Sequence, residues 1–255
     1  MSGKVGLQLF SVWRDAEKDF LGTIERVASL GYESVQFAGF FNTPAEKVKK
    51  VLDENRLAVA GAHVGINQLL NDGLEKTLEY HKKIENNLIV CPAIPKEMRG
   101  TVDQYQKTAQ LLNQIGENCR KEGFLFGYHN HDFEFQKIGN KSGFEILFEN
   151  TDPELVKMEL DCYWASYAEQ NPLEIVQNYQ NRIISLHIKD LKVENGEKKG
   201  TEVGRGQLDF PSLIKQAEKI GIEWFTVEQE EFEFDPYESL AINADALKRL
   251  FSEVE

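Results

Sequence analysis

The sequence predicts a (β/α)8 barrel, in which eight parallel strands close into a cylinder ringed by helices. Three observations predict it. Short apolar runs alternate with longer amphipathic ones, eight of each, along 255 residues. Such alternation implies parallel strands joined by right-handed crossovers. The length suits one barrel, read as a single domain over 1–255. A doubly wound open sheet is the alternative. It would carry a Gly-rich turn after its first strand, and none is there; "VGRGQLDF" (203–210) has other spacing and follows a loop.

The elements follow in order. "KVGLQLF" (4–10) predicts a strand and 15–30 a helix. "YESVQFAG" (32–39) predicts a strand, and Pro44 opens a helix to Asn55. "LAVAGAHV" (57–64) is a strand before a helix from Asp72 to Glu85; "NLIVCPA" (87–93) is a strand before a long helix, Thr101–Glu122. "FLFGYHNH" (124–131) is a strand followed by a helix over 141–150, and "LVKMELD" (155–161) a strand followed by a helix from Pro172. "RIISLHIKD" (182–190) precedes a helix from Pro211, and "EWFTVEQE" (223–230) precedes the closing helix. The polar insertion "KVENGEKKG" (192–200) reads as a mobile surface loop.

Composition narrows the function. With 41% hydrophobic and 28% charged residues the chain reads as soluble and globular. No apolar run approaches the ~20 residues that span a bilayer, and the start lacks a signal peptide's features, so no membrane partner is expected. Cys91, Cys119 and Cys162 are odd in number and lack CxxC spacing; they predict free thiols in a reducing cytoplasm. A net charge of −13 argues against a phosphate-binding footprint, so no nucleic-acid partner is expected.

Barrels of this class put reactive groups at the C-terminal ends of their strands. Those ends carry His63, His129, His131, Glu159, Asp161, His187, Lys189, Glu228 and Glu230. Within a strand the paired residues are two apart and share a face. Of the five histidines only His81 falls in a helix, where a surface position is expected. Burying so many acids together is costly unless a cation or protons compensate them. Asp161, His187 and Glu228 form an O/N ligand set that suits one Mn, Co, Zn or Mg ion. Cys162 points to the opposite face and reads as a small apolar residue.

Other chemistries fit less well. No GxSxG elbow or active-cysteine motif is present. A glycosidase pairing of Glu134 with Glu228 leaves Asp161 and His187 unexplained. Backbone amides of "GRG" (204–206) with Arg205 offer an anion site, balanced by the plain reading of a surface turn.

"GYHNHDFEF", "LDCYW", "SLHIKD", "VGRGQLDF" and "VEQEE", in that order, resemble the xylose-isomerase-like barrel superfamily of sugar-phosphate isomerases and epimerases. The resemblance runs nearly the whole chain, and it implies one metal held at the ends of strands five to eight. Asp161, His187 and Glu228 match the last three ligands. His129 falls where the family has Glu, so either His129 takes the metal or Glu134 reaches back to it. Trp164 replaces a histidine of ketose 3-epimerases, which turns the expectation away from that activity. The three-zinc endonuclease branch needs more histidines than this chain supplies.

The expected activity is therefore that of a metal-dependent sugar or keto-sugar isomerase or epimerase working through an enediolate. A lyase or dehydratase of a keto-sugar, keto-inositol or 3-keto-glycoside is the runner-up, and a non-catalytic sugar-binding protein is the rival from another class. Glu134, His131 and Lys189 are the expected proton carriers and charge partners, with Glu228 a further candidate base and Glu159 the alternative partner of Lys189. His63, Trp13, Trp164, Arg205 and Glu230 are the expected substrate contacts, with Phe40 a further wall. Monomer and homodimer both remain open.

Overall fold

In the computed structural model, which describes residues 3–254, eight strands close into a barrel. They are Lys4–Gln8, Ser34–Phe37, Ala58–His63, Leu88–Cys91, Leu125–His129, Lys157–Asp161, Ile183–Ile188 and Trp224–Val227. Every neighbouring pair is parallel, and the eighth strand closes on the first through Lys4↔Trp224 to Leu7↔Val227. Each strand lies inside its predicted run. No helix among the described residues is long and apolar enough to cross a membrane.

Local chemistry sets the helix starts. Thr101 and Gln104 form a reciprocal capping box ahead of Val102–Lys121, and Ser142 with Glu145 does the same for Gly143–Glu149. Asn171 and Asp209 cap helices whose first turns hold Pro172 and Pro211. Alternate strand residues such as Leu7, Phe37, Phe126, Leu160, Ile188 and Phe225 are fully or almost fully buried in the apolar layer. The other set meets inside the barrel and is polar. Gln8 donates to Gln36, and Gln36 and Ser185 donate to Glu159. The interior is thus a hydrogen-bonded plug beneath the mouth, where barrels of this class usually stack branched apolar residues.

Three local expectations are corrected. Segment 192–200 is an antiparallel ribbon, Asp190–Glu194 paired with Glu197–Thr201. Its turn is Asn195–Gly196, both at positive φ (53° and 82°), the dipeptide that favours a tight hairpin. The helix predicted over 15–30 breaks into Trp13–Ala16 and Phe20–Ser29, because Asp19 caps the second piece by accepting the Gly22 amide. An additional helix, Cys162–Tyr167, starts directly after the sixth strand with Asp161 as its cap.

Candidate metal centre and cavity

The ends of strands five to eight converge. His129, Asp161, His187 and Glu228 are all buried, and each offers one ligand atom within 4.8 Å of the others. Register explains the meeting, since Asp161 pairs with His187 across the sixth and seventh strands and His187 with Thr226 of the eighth. His187 Nδ1 lies 2.9 Å from a Glu228 oxygen. His129 Nε2 is 3.9 Å from Asp161 Oδ2, too far for a hydrogen bond. That gap, between two buried atoms of a thiolate-free O/N set, fits a divalent ion of the Mn, Co, Zn or Mg type.

The other nitrogen of each ring points to Glu159. His129 Nδ1 is 3.2 Å and His187 Nε2 3.0 Å from Glu159 Oε1, and His63 Nε2 is 2.6 Å from the same atom. One fully buried carboxylate therefore fixes three imidazoles from below, as ligating histidines are commonly held. Burial alone would raise the Glu159 carboxyl, but His187, His63 and His129 hold it well below its ordinary range. Burial likewise opposes a charged His187, yet Glu159 and Glu228 keep its pKa well above the ordinary value. Burial pushes Asp161 up to about 7, against the pull of Lys189 and His187.

His131 follows the fifth strand. Its ring stacks on Phe133 at 5.5 Å and stands 5.7 Å from the Trp164 ring, and its buried Nδ1 has no hydrogen-bond partner among the described residues. Burial lowers its pKa to about 4, so the ring is neutral. A cavity of about 960 Å³ opens over the centre, lined by His63, His129, His131, Glu228, Glu230 and Trp13 among others.

Several expected site residues lie elsewhere. Glu134 does not fold back over the mouth. It is fully buried, taking hydrogen bonds from the Tyr128 hydroxyl and the His131 amide, so it braces the backbone beneath His131. Lys189 does not meet Glu159; its Nζ is 2.6 Å from Glu230 and 3.8 Å from the Tyr163 ring centre. Arg205 turns to Glu202 at 3.5 Å. The glycine-turn amides do hold an anion, but it is the chain's own: Asp190 accepts from Gly204, Gly206 and Leu208. Trp164 backs His131 and is absent from the cavity's lining residues. His81 is buried, not at the surface; its Nδ1 meets the Asn86 amide at 2.9 Å, and burial lowers its pKa to about 4.

Sequence reasoning missed the central part played by Glu159, and missed Gln8 and Gln36 altogether. The signal was there: each is a polar residue inside an otherwise apolar strand, in phase with the inward-facing positions.

Fold and site together define a (β/α)8 barrel with a buried cluster of candidate metal ligands at its C-terminal mouth. Residues 24–250 match the family described as the xylose isomerase-like TIM barrel, and the chain belongs to that family. It is 23% identical over 261 residues to an inosose dehydratase of Bacillus licheniformis, covering 86% of each chain. A solved sugar phosphate isomerase/epimerase from Parabacteroides distasonis superposes with a TM-score of 0.79 at 28% identity, over 97% of this chain and 94% of that one. The IOLI protein with a bound zinc atom, at 12% identity and a TM-score of 0.76 over 99% of each chain, shares the fold.

Proposed function

We propose that the protein is a metal-dependent isomerase or epimerase of a sugar or keto-sugar, acting through an enediolate. The carrying observation is the four-donor centre beneath a cavity that His131 also lines. His129, Asp161, His187 and Glu228 would hold a divalent ion, which when bound would supply polarisation of a carbonyl and its neighbouring hydroxyl. The proton beside that carbonyl goes to the imidazole of His131, which lines the cavity, is neutral and is braced through its backbone by Glu134. Glu230 flanks the ligand set at the other end, after the eighth strand. Burial raises its carboxyl above the ordinary value, against the opposing Lys189, so it is suited to return a proton. Lys189 balances the carboxylate that this leaves. His63 has Nε2 committed to Glu159 and keeps Nδ1 for a substrate hydroxyl.

A second reading is favoured by the inosose dehydratase relatives. The same proton abstraction is then followed by loss of a group β to the carbonyl, with Glu230 protonating the leaving oxygen. Proton NMR of metal-loaded protein in D₂O with a panel of ketoses and keto-sugars tests both. An isomerase or epimerase leaves one deuterium beside the carbonyl in a product of otherwise unchanged mass, whereas a dehydratase product lacks one water. Absence of exchange with every substrate, together with no bound metal by elemental analysis, rejects both and leaves a sugar-binding protein.

A further inference from the structure

We infer that the cavity has a second, aromatic subsite that holds an unphosphorylated ring attached to the reacting sugar. The inference rests on the reading above for the reacting end and adds the chemistry of the distal end. The far wall of the cavity is built by Phe10, Trp13, Phe40, Phe41 and Tyr80, none of which touches the ligand set. Phe10 and Trp13 are 49% and 37% exposed, so the wall faces solvent with nothing covering it. The Trp13 and Phe41 rings lie 4.6 Å apart, and Phe40 lies 4.2 Å from Tyr80.

Backbone conformation is an independent sign. Phe41 and Asn42 are consecutive residues at φ 48° and 56°. A bulky residue in the left-handed region is strained, and such strain gathers at ligand clamps. Here it places the Phe41 ring against Trp13.

Size and charge fix the ligand class. The cavity, about 960 Å³, is at the upper end of small-molecule sites, which run from roughly 300 to 1,000 Å³. A single hexose leaves most of it empty. Among the lining residues Lys76 is the one lysine or arginine, against two carboxylates, those of Glu228 and Glu230. Both devices that would hold a phosphate are already engaged: Arg205 with Glu202, and the amides of Gly204 and Gly206 with Asp190. A neutral second ring, whether sugar or aryl, stacks on aromatic faces without needing a cation.

Calorimetric titration of the metal-loaded protein tests this with glucose, glucose 6-phosphate, cellobiose and p-nitrophenyl β-glucoside. Cellobiose or the aryl glucoside is expected to bind at least ~10-fold tighter than glucose, with glucose 6-phosphate weaker than glucose. Whichever two-ring ligand binds tighter identifies the ring as sugar or aryl. Trp13→Ala and Phe41→Gly should each cut that preference to about 3-fold or less with metal content unchanged. Tighter binding of glucose 6-phosphate than of glucose, no two-ring preference, or a preference that survives Trp13→Ala overturns the subsite. A two-ring preference in a protein that neither holds metal nor exchanges deuterium keeps the subsite and rejects the proposed reaction.

Discussion

Glu159 carries more of the site than any single ligand. It is fully buried, it meets three histidines through one oxygen, and it accepts Gln36 and Ser185 through the other. Glu159→Gln keeps the shape but removes the charge that sets which ring nitrogens carry protons. Its divalent-ion affinity is expected to fall about 10–100-fold while far-UV circular dichroism is unchanged. Chelator-competition titration giving wild-type affinity would reduce Glu159 to barrel filling. Glu134 shows the opposite relation between sequence and role. It was legible as an acid beside two histidines, but not its burial or direction, because Tyr128 one strand position before His129 faces away from the mouth and draws the carboxylate with it. Burial raises Glu134 to about 8. An unfolded glutamate titrates near ~4.3, so between these values the native state keeps a proton the unfolded chain has lost. Stability therefore falls as pH rises through that window and levels off above it. Glu134→Gln should melt level with wild type near pH 5 and at least ~3 °C higher at pH 8. A variant that melts lower at pH 8 refutes the burial cost.

At the scale of elements, the barrel strands were legible because each is a short apolar run bounded by turn residues, and the helices because their caps are written locally. The ribbon after the seventh strand was harder. Its residues are charged and lack a buried face, so periodicity gave no signal; the Asn195–Gly196 pair alone marked it. What fixes its base is Asp190, at 0% exposure, which gathers the amides of Leu191, Gly204, Gly206 and Leu208 at 2.8–3.1 Å. A Cβ on Gly206 would sit 2.3 Å from an Asp190 oxygen, so the chain needs glycine there to come this close. Asp190→Ala strands several donors and should cost about 3 kcal/mol, read as a fall of roughly 6–12 °C in Tm. A change below ~1 kcal/mol would mean that water replaces the carboxylate without loss. Three of the four candidate ligands, Asp161, His187 and Glu228, were legible from strand ends alone, since the fold class says where those ends meet; the choice between His129 and Glu134 for the fourth was not. Of the aromatic far wall, Trp13 and Phe40 were legible as sugar contacts; Phe41 was not, because it reaches the wall only through a left-handed turn that no periodicity encodes.

Over the whole molecule the two halves of the barrel divide the work. Strands five to eight, from Leu125 to Val227, and the residue that follows them supply the four donors of the candidate metal centre, His129, Asp161, His187 and Glu228. The first three βα units supply the aromatic wall, together with His63 and the buried His81. The halves are joined across the centre by the polar plug, in which Gln36 of the second strand donates to Glu159 of the sixth and meets His187 of the seventh at 2.7 Å. An ion that binds the native state alone stabilises it by about 2.7 kcal/mol at one hundred times its dissociation constant, which for a chain of this size is roughly 5–11 °C in Tm. That stabilisation should not be even. Crowded carboxylates and imidazoles at the ends of strands five to eight repel or compete for protons until a cation joins them, so local opening of that half is the motion that binding suppresses. Hydrogen exchange followed by mass spectrometry, with and without Mn²⁺, should show slowed exchange in peptides covering 125–129, 157–167, 183–191 and 224–230. Peptides covering 4–13 and 34–43 should change little. The peptide at 58–63 tests the plug itself: His63 Nε2 is bonded to Glu159 and its ring stacks on that of His187 at 5.1 Å, so protection there in wild type and its loss in Glu159→Gln would place the coupling in the carboxylate and not in the stacked rings. Uniform protection around the ring would instead mean that the barrel opens as one unit and the halves are separate in chemistry alone.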